Sequence, residues 1–202
     1  MRLAATRKCI VTSCIVFTAA ALVSVASTAL AGNLTSGLEP GEELEAFDVE
    51  KCAGAVNDGV DVGSTLCYRC RYKARPVVVV FSRKADAQLA KLVKKLDGEV
   101  VAHEDDLLSS FVCFLGENPE ELKVNAKQFG AKNKVERVAL VVPQDCENGP
   151  PEYNLNSEAE VTVLLYVNGR VEANHAFAAG KLNDQAITTI VNDTSKILPA
   201  KD

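Results

Sequence analysis

Hydrophobic residues form several short continuous runs along this chain. Residues 77–81, 111–115 and 138–142 are almost entirely apolar, with Val and Phe prominent among them. Runs of this length and composition predict strands that are covered on both faces, as in the interior of a parallel sheet. A weaker apolar segment at 46–49 predicts a short additional strand before them.

Helical patterns separate these runs. The first predicted helix ends at Asp97-Gly98 and places its apolar residues at the i, i+3, i+4 and i+7 spacing of one buried face (Leu89, Leu92, Val93 and Leu96). The second begins at residues 118–121, where an Asn cap precedes Pro and two Glu, and ends at Gly130. Strands therefore alternate with helices, which predicts parallel pairing through right-handed crossovers.

The C-terminal third predicts a hairpin followed by a helix. Residues 161–167 and 170–177 flank Asn168-Gly169, a pair that tolerates positive φ at both turn positions. An apolar stripe then continues from Ile187 until Pro199 ends the helix. The predicted fold is α/β, with a central, mostly parallel sheet flanked by helices, a closing antiparallel hairpin and a C-terminal helix.

The N-terminus has the features of a signal peptide. Three basic residues precede an uncharged apolar stretch at 10–26, and Ala29-Leu30-Ala31 supplies the small residues of a cleavage site. An uncleaved membrane anchor is the alternative, since the stretch is near the lower length limit for a span. We expect residues 1–31 to be a signal peptide, 32–44 a flexible tether and 45–198 the domain, so that the mature protein is periplasmic or secreted.

The charge balance excludes some partners. The formal net charge is −5, and the loss of three basic residues with the signal peptide makes it −8. Nucleic acid is therefore not expected as a partner, because binding phosphates requires a basic surface. After cleavage no apolar segment is long enough to span a membrane. No metal-ligand spacing or phosphate-binding loop recurs, so neither a metal nor a cofactor is expected.

Cysteine provides the candidate chemistry. Cys67-Tyr68-Arg69-Cys70 is a C-x-x-C pair, which supports a reversible disulfide, a static one, or half of a metal site. From 62 to 85 the chain has six basic residues and no acidic one, and nearby cations favour the thiolate. Cys113 lies in an apolar run and is predicted to be a core residue, whereas Cys52 and Cys146, in predicted loops, are candidates for pairing with each other.

The conformation of the pair is open at this stage. Basic residues alternate with others from Arg69 to Arg75, which also fits an extended strand with a solvated face. An extended 67–70 segment would separate the two Cα atoms by about 10 Å, beyond the ~7 Å limit for a disulfide. The pair therefore closes only if these four residues form a turn.

The two histidines are weaker candidates for a metal-binding or catalytic role. His103 lies in an acidic turn, for which a solvated position is the better interpretation than a metal site. His175 alternates with apolar residues on one strand, which favours a hydrogen-bonded core histidine over a catalytic base.

The order of elements, with its extra N-terminal segment, resembles the thioredoxin-like superfamily, particularly its peroxiredoxin and alkyl hydroperoxide reductase-like branch. Residues 37–47 are similar to the lead-in of that branch and 162–171 to the closing hairpin, and the resemblance covers roughly 37–198. The chain also resembles small exported bacterial thioredoxin-like proteins with C-x-x-C before the first core strand. The resemblance implies that Cys67 attacks and Cys70 resolves in exchange with a protein thiol or disulfide.

Two departures from that family bear on activity. Thioredoxins and peroxiredoxins place their reactive Cys after the first core strand, where this chain reads Ser82 to Ala87 without a Cys. Thioredoxins place a cis-Pro before the closing hairpin, where this chain has Val161. Two functions therefore stand: an exported thiol-disulfide oxidoreductase acting through Cys67 and Cys70, or a catalytically inactive thioredoxin-like binding or structural module.

Overall fold

The structure, a computed structural model, describes residues 34–200. It contains a seven-stranded sheet with the spatial order β2-β1-β5-β4-β3-β6-β7. The elements, in chain order, are β1 (Val49–Gly54), β2 (Thr65–Leu66), α1 (Tyr68–Tyr72), β3 (Val77–Ser82), α2 (Ala87–Ala102), β4 (Ser109–Phe114), α3 (Pro119–Asn133), β5 (Ala139–Pro143), β6 (Ala159–Val167), β7 (Arg170–Ala178) and α4 (Asp184–Asn192). The predicted signal peptide, 1–31, lies outside the described residues.

The sheet is mixed around a parallel centre. β3 pairs with β4 and β4 with β5 in parallel, as the apolar runs predict. β6 joins β3 antiparallel, β7 joins β6 antiparallel, and on the other side β1 and β2 extend β5 by two further antiparallel pairings. Five strands therefore point in one direction, and only β1 and β6 point in the other. The α/β fold predicted from the sequence is confirmed.

Two apolar cores lie on opposite faces of the sheet. The three long helices, α2, α3 and α4, all bury their apolar faces on one side, against side chains such as Val80, Val112 and Leu140. The other face is covered by α1, by the N-terminal segment and by a short 3₁₀ helix, Pro151–Tyr153. This second face is the one on which the C-x-x-C pair lies.

Helices α2 and α3 both continue past their predicted ends. α2 runs through Asp97-Gly98 to Ala102, and the Asp97 carboxylate accepts hydrogen bonds from the backbone N–H groups of 136–138. In α3, Gly130 is a position of close packing: an added Cβ would come within 2.9 Å of Ala53 and 3.0 Å of Leu140. These two residues therefore serve tertiary contacts and do not end their helices.

Residues 34–44 differ from the predicted tether. Leu38 and Leu44 are buried, and the Ser36 hydroxyl lies 2.7 Å from that of Thr162 in β6. The strand expected at 46–49 forms at 49–54 instead, because these residues pair with β5. The N-terminal segment is thus part of the second core.

The closing hairpin forms as predicted. Asn168 and Gly169 both have positive φ, 56° and 74°, which matches the turn expected between β6 and β7. Within the part of the chain that the structure describes, no helix combines the length and the hydrophobicity needed to cross a membrane.

Candidate redox site

The C-x-x-C pair begins the short helix α1. Cys67 is the N-cap, with extended backbone, and its sulfur accepts a hydrogen bond from the Cys70 amide at 3.0 Å. Tyr68 and Tyr72, one helical turn apart, point together into the sheet, and the Tyr68 ring stacks on that of Phe111 with 5.5 Å between centroids. Burial of these two rings holds the segment helical.

Cys67 and Cys70 form a disulfide, with their Cα atoms 5.2 Å apart. The extended interpretation of 67–70 is therefore wrong, because a helical turn brings the two residues within bonding range. Cys70 is exposed and Cys67 is half-buried. The disulfide is thus accessible from solvent, although the helix that carries it is anchored in the core.

An ion pair between Lys51 and Asp58 lies beneath α1 and holds the helix in place. The Tyr68 hydroxyl donates to Asp58 Oδ2 at 2.6 Å, and Lys51 Nζ donates to Asp58 Oδ1 at 2.6 Å. Lys51 also donates to the carbonyls of Ala55 and Val60, at 3.0 and 2.8 Å. Burial, together with the hydrogen bond to Asp58, raises the pKa of Tyr68 well above its usual range. This phenol therefore remains a neutral donor.

Arg69, the second of the two residues between the cysteines, is held in place as well. Arg69 Nε donates to the Leu44 carbonyl at 3.1 Å, and its guanidinium lies against Gly169 in the β6–β7 turn. Leu44 itself donates to the Gly169 carbonyl at 2.9 Å. Arg69 therefore links the disulfide helix to both the N-terminal segment and the closing hairpin.

The basic residues predicted around the pair divide into two groups. Arg69 and Arg71 lie on α1, and the Arg71 guanidinium bonds to the Asp58 carbonyl. Arg83 and Lys84 follow β3, where Arg83 Nη1 donates to the Glu147 carbonyl at 2.7 Å and Lys84 lies 3.8 Å from Glu160. The later group is thus engaged at the carboxyl end of β3 and does not belong to α1.

The other described cysteines are buried free thiols. Cys113 is a core residue, as predicted, and burial raises its pKa well above the usual value. Cys52 lies in β1 and not in a loop, and its pKa is raised to about 11 by burial and by the Glu50 charge. Cys52 and Cys146 are not paired with each other, so that suggested disulfide is absent from the structure.

Both histidines bond to carboxylates. His103 Nδ1 lies 2.9 Å from Asp106 at the end of α2, and His175 Nε2 lies 3.0 Å from Asp193. His175 is thus hydrogen-bonded, as predicted, but it is half-buried and not a core residue. Among residues 34–200, no three His, Cys, Asp or Glu side chains are grouped so that they could hold a metal ion.

Comparison with known proteins supports the fold. No protein-family model matches the chain, and no curated protein matches it in sequence. Solved structures do match. A candidate protein disulfide isomerase from Bacteroides thetaiotaomicron has a TM-score of 0.58 at 13% identity, over 82% of this chain and 94% of its own. AhpC from Mycobacterium tuberculosis has 0.57 at 13%, over 78% and 96%. A candidate thiol:disulfide interchange protein DsbE from Chlorobium tepidum has 0.53 at 13%, over 76% and 99%.

The chain has a thioredoxin-like fold. At this identity the likeness concerns the fold alone. The thioredoxin-like strand that normally leads to the reactive Cys is β3. It ends at Ser82, which is buried and donates its hydroxyl to the Lys84 carbonyl at 2.9 Å. Val161, at the usual cis-Pro place, pairs with Ser82, and no cis peptide occurs among the described residues.

The pair lies elsewhere on this thioredoxin-like scaffold. β2 ends at Leu66, beside Val49 and thus near the last residue of β5. α1 then crosses the second face of the sheet before the chain enters β3 at Val77. The structure therefore carries its accessible disulfide over the sheet face, ahead of the first core strand. In the sequence, the i, i+4 spacing of Tyr68 and Tyr72 indicates this helix. The same spacing also fits the alternation of a strand, and a five-residue segment is too short to distinguish the two.

Proposed function

We propose that this protein is an exported thiol-disulfide oxidoreductase acting through Cys67 and Cys70. The observation that carries the proposal is the disulfide between them, formed in the first turn of α1 with Cys70 exposed. Neighbours of the same fold whose names refer to disulfide isomerisation and interchange support it.

The proposed reaction is a two-step exchange. In the reduced protein, the Cys67 thiolate attacks one sulfur of a substrate disulfide, so that a mixed disulfide forms and the other substrate sulfur leaves as a thiolate. The Cys70 thiolate then attacks Cys67 Sγ, which closes the intramolecular disulfide and releases the second substrate thiolate. Two electrons pass from the protein to its substrate, and the described disulfide is the oxidised product.

The roles of the two cysteines follow from the cap. The Cys70 amide donates to Cys67 Sγ at 3.0 Å, and a donor at this distance stabilises negative charge on that sulfur. We therefore assign attack to Cys67 and resolution to Cys70. The Cys70→Ser variant should accumulate a mixed disulfide through Cys67, detectable by intact mass.

The experiment is disulfide reduction by the mature protein, with insulin as substrate. We expect wild type and Cys146→Ala, which removes a buried free thiol, to be active, and Cys67→Ser and Cys70→Ser to lose turnover. Activity that survives both serine substitutions would refute the proposal. The reduction potential of the pair, measured against glutathione, would then place it as a net reductant or oxidant.

Export is the second part of the proposal. It rests on the basic start, the apolar stretch at 10–26 and Ala29-Leu30-Ala31. Intact-mass analysis of protein from the native host should show a chain beginning near Gly32. A full-length chain that fractionates with membranes would contradict cleavage and favour an anchor.

A non-catalytic binding module is the alternative function. The observation in its favour is the segment after β3, Ser82 to Ala87, which has no thiol at the place where thioredoxin-like enzymes react. If the reduced wild type fails to reduce insulin or any small disulfide, this alternative replaces the first proposal.

A further inference from the structure

A groove adjoins the disulfide helix. Its volume is about 450 Å³, and its lining includes Arg71, Tyr72, Lys73, Arg75, Pro76 and Leu107. The groove therefore lies between the C-terminal end of α1 and the turn that precedes β4. Neither the disulfide exchange nor the packing of the core accounts for it.

The groove concentrates positive charge on an acidic protein. Arg71, Lys73 and Arg75 line it, whereas the net charge of the chain is −5. Lys73 and Arg75 are exposed and form no ion pair within residues 34–200. The only acidic residue among the lining is Asp106, which is bonded to His103 at 2.9 Å. Lys73 and Arg75 are thus available to pair with negative charges on a ligand.

The groove also presents apolar surface. The Leu107 side chain is 52% exposed and is held by a backbone with φ of 58°. Tyr72 and Pro76 form the adjoining wall. A ligand that fits this lining therefore combines negative charge with at least one apolar group.

The groove begins about one helical turn from the reactive pair. Arg71, which lines the groove, follows Cys67 by four residues in α1, whereas Ala74 lies beyond the end of the helix at Tyr72. Backbone hydrogen bonds from Lys73 to Arg69 and from Arg75 to Tyr72 keep the following turn compact. A chain in contact with Arg71 would thus lie about one helical turn, ~5–6 Å, from Cys67, the residue to which attack is assigned.

We propose that this groove docks the polypeptide substrate of the exchange reaction, through an acidic segment with an apolar residue next to its cysteine. The inference rests on the proposed oxidoreductase function and names the substrate class for it. Charge complementarity favours an acidic chain, and the exposed Leu107 favours a polypeptide over a small inorganic anion.

The test compares two disulfide peptides that differ only in flanking charge. Each has the same length, one internal disulfide and one Leu, with three Glu beside the disulfide in the first and three Gln in the second. The reduced mature protein should have about tenfold higher kcat/KM for the Glu peptide at low ionic strength, the lower end of electrostatic steering. This preference should shrink at 0.5 M salt, because screening shortens the range of surface charges to a few Å.

Matched variants locate the effect. The double variant Lys73→Gln/Arg75→Gln should lose the preference, so that its ratio of the two kcat/KM values approaches one. The control Lys94→Gln/Lys132→Gln removes two exposed charges from α2 and α3, on the opposite face, and should keep the wild-type ratio. Thermal unfolding of both variants would verify that each is folded.

The outcomes separate the two proposals. Equal kcat/KM for both peptides in the wild type, or an equal loss of preference in both double variants, would overturn the docking site while leaving exchange activity intact. Failure to reduce either peptide would overturn the oxidoreductase proposal and this inference with it.

Discussion

Lys51 is 2% exposed, and its ammonium is held by the Asp58 carboxylate and two backbone carbonyls. This arrangement satisfies all three of its donors. Because Asp58 also accepts from Tyr68, one buried charge pair connects β1, the 55–64 loop and α1. The position of the disulfide helix therefore depends on a lysine far from the two sulfur atoms in sequence.

Removal of this ammonium should destabilise the fold strongly. Lys51→Met keeps most of the aliphatic stem but leaves the Asp58 carboxylate without its countercharge and two carbonyls without their donor, which should cost about 3–5 kcal/mol. Denaturant unfolding of the mature protein measures this cost. The control is Lys94→Met, at an exposed position of α2. A cost below about 1 kcal/mol would mean that Asp58 is served equally well by solvent.

Thiol reactivity should separate the cysteines sharply. The pKa of Cys52 is raised to about 11, that of Cys113 is raised well above its usual value, and both side chains are buried. At pH 8 these thiols are therefore protonated and shielded. After mild reduction, iodoacetamide should label Cys67 and Cys70 in the native protein and should reach Cys52 and Cys113 only after unfolding, as peptide mapping would show. Rapid native labelling of Cys52 would contradict its burial.

The location of Cys113 was predicted correctly from the sequence, whereas that of Cys52 was predicted wrongly because of the neighbouring Lys51. Cys113 lies within an uninterrupted apolar run, so its burial could be inferred from its neighbours. Cys52 follows Lys51, whose charge hides the strand pattern of β1, and a register shift in the β1–β5 pairing interrupts the alternation again. The compensating partners of Lys51 come from the following loop and leave no periodic signal.

Helix α1 shows the same limit for a whole element. Its five residues fit both a basic alternation and the i, i+4 spacing of two tyrosines. Tertiary contacts decide between them: Tyr68 and Tyr72 are buried against Phe111, and Arg69 bonds to Leu44. The hairpin turn, in contrast, was predictable, because Asn168-Gly169 satisfies its backbone requirement locally.

Gly169 couples that hairpin to the disulfide helix. It has φ of 74°, and an added Cβ would collide with the Arg69 guanidinium. Gly169→Ala should therefore cost the ~1–2 kcal/mol of left-handed strain and displace Arg69 as well. Gly180→Ala is the matched control, since Gly180 has φ of 69° but open space around its Cα.

Two measurements test this coupling. Denaturant unfolding should show a larger loss of stability for Gly169→Ala than for Gly180→Ala. The reduction potential of Cys67–Cys70 should shift in Gly169→Ala and stay at the wild-type value in Gly180→Ala. Equal stabilities and unchanged potentials in both variants would show that Arg69 moves aside freely.

The arrangement of the whole molecule follows from its crossovers. β3, β4 and β5 are neighbours in that order, so the two connections step across the sheet in the same direction. Right-handed crossovers that step in one direction place their helices on one face, which accounts for α2 and α3 lying together. The sequence predicted this alternation. It did not predict that β1 and β2 extend the far edge, because no local pattern reports strand order.

In this layout α1 shares the second face with the N-terminal segment and the short 3₁₀ helix, and the disulfide found among residues 34–200 lies there. The carboxyl end of β3, where peroxiredoxins place their peroxidatic Cys, has the buried Ser82 hydroxyl and Arg83 instead. The nearby core thiol Cys113 is fully buried, with its pKa raised. No described residue thus combines a thiol with that position of the fold.

We therefore expect the molecule to exchange disulfides without acting as a peroxidase. The reduced mature protein should consume hydrogen peroxide no faster than an equimolar amount of dithiothreitol, because its accessible thiols lie on α1, away from the segment that follows β3. Peroxide consumption followed with time, beside insulin reduction by the same preparation, measures both activities. Consumption far above the dithiothreitol rate that disappears in Cys67→Ser would show that α1 itself forms a peroxidatic site, whereas persistence in Cys67→Ser/Cys70→Ser would direct attention to the buried thiols.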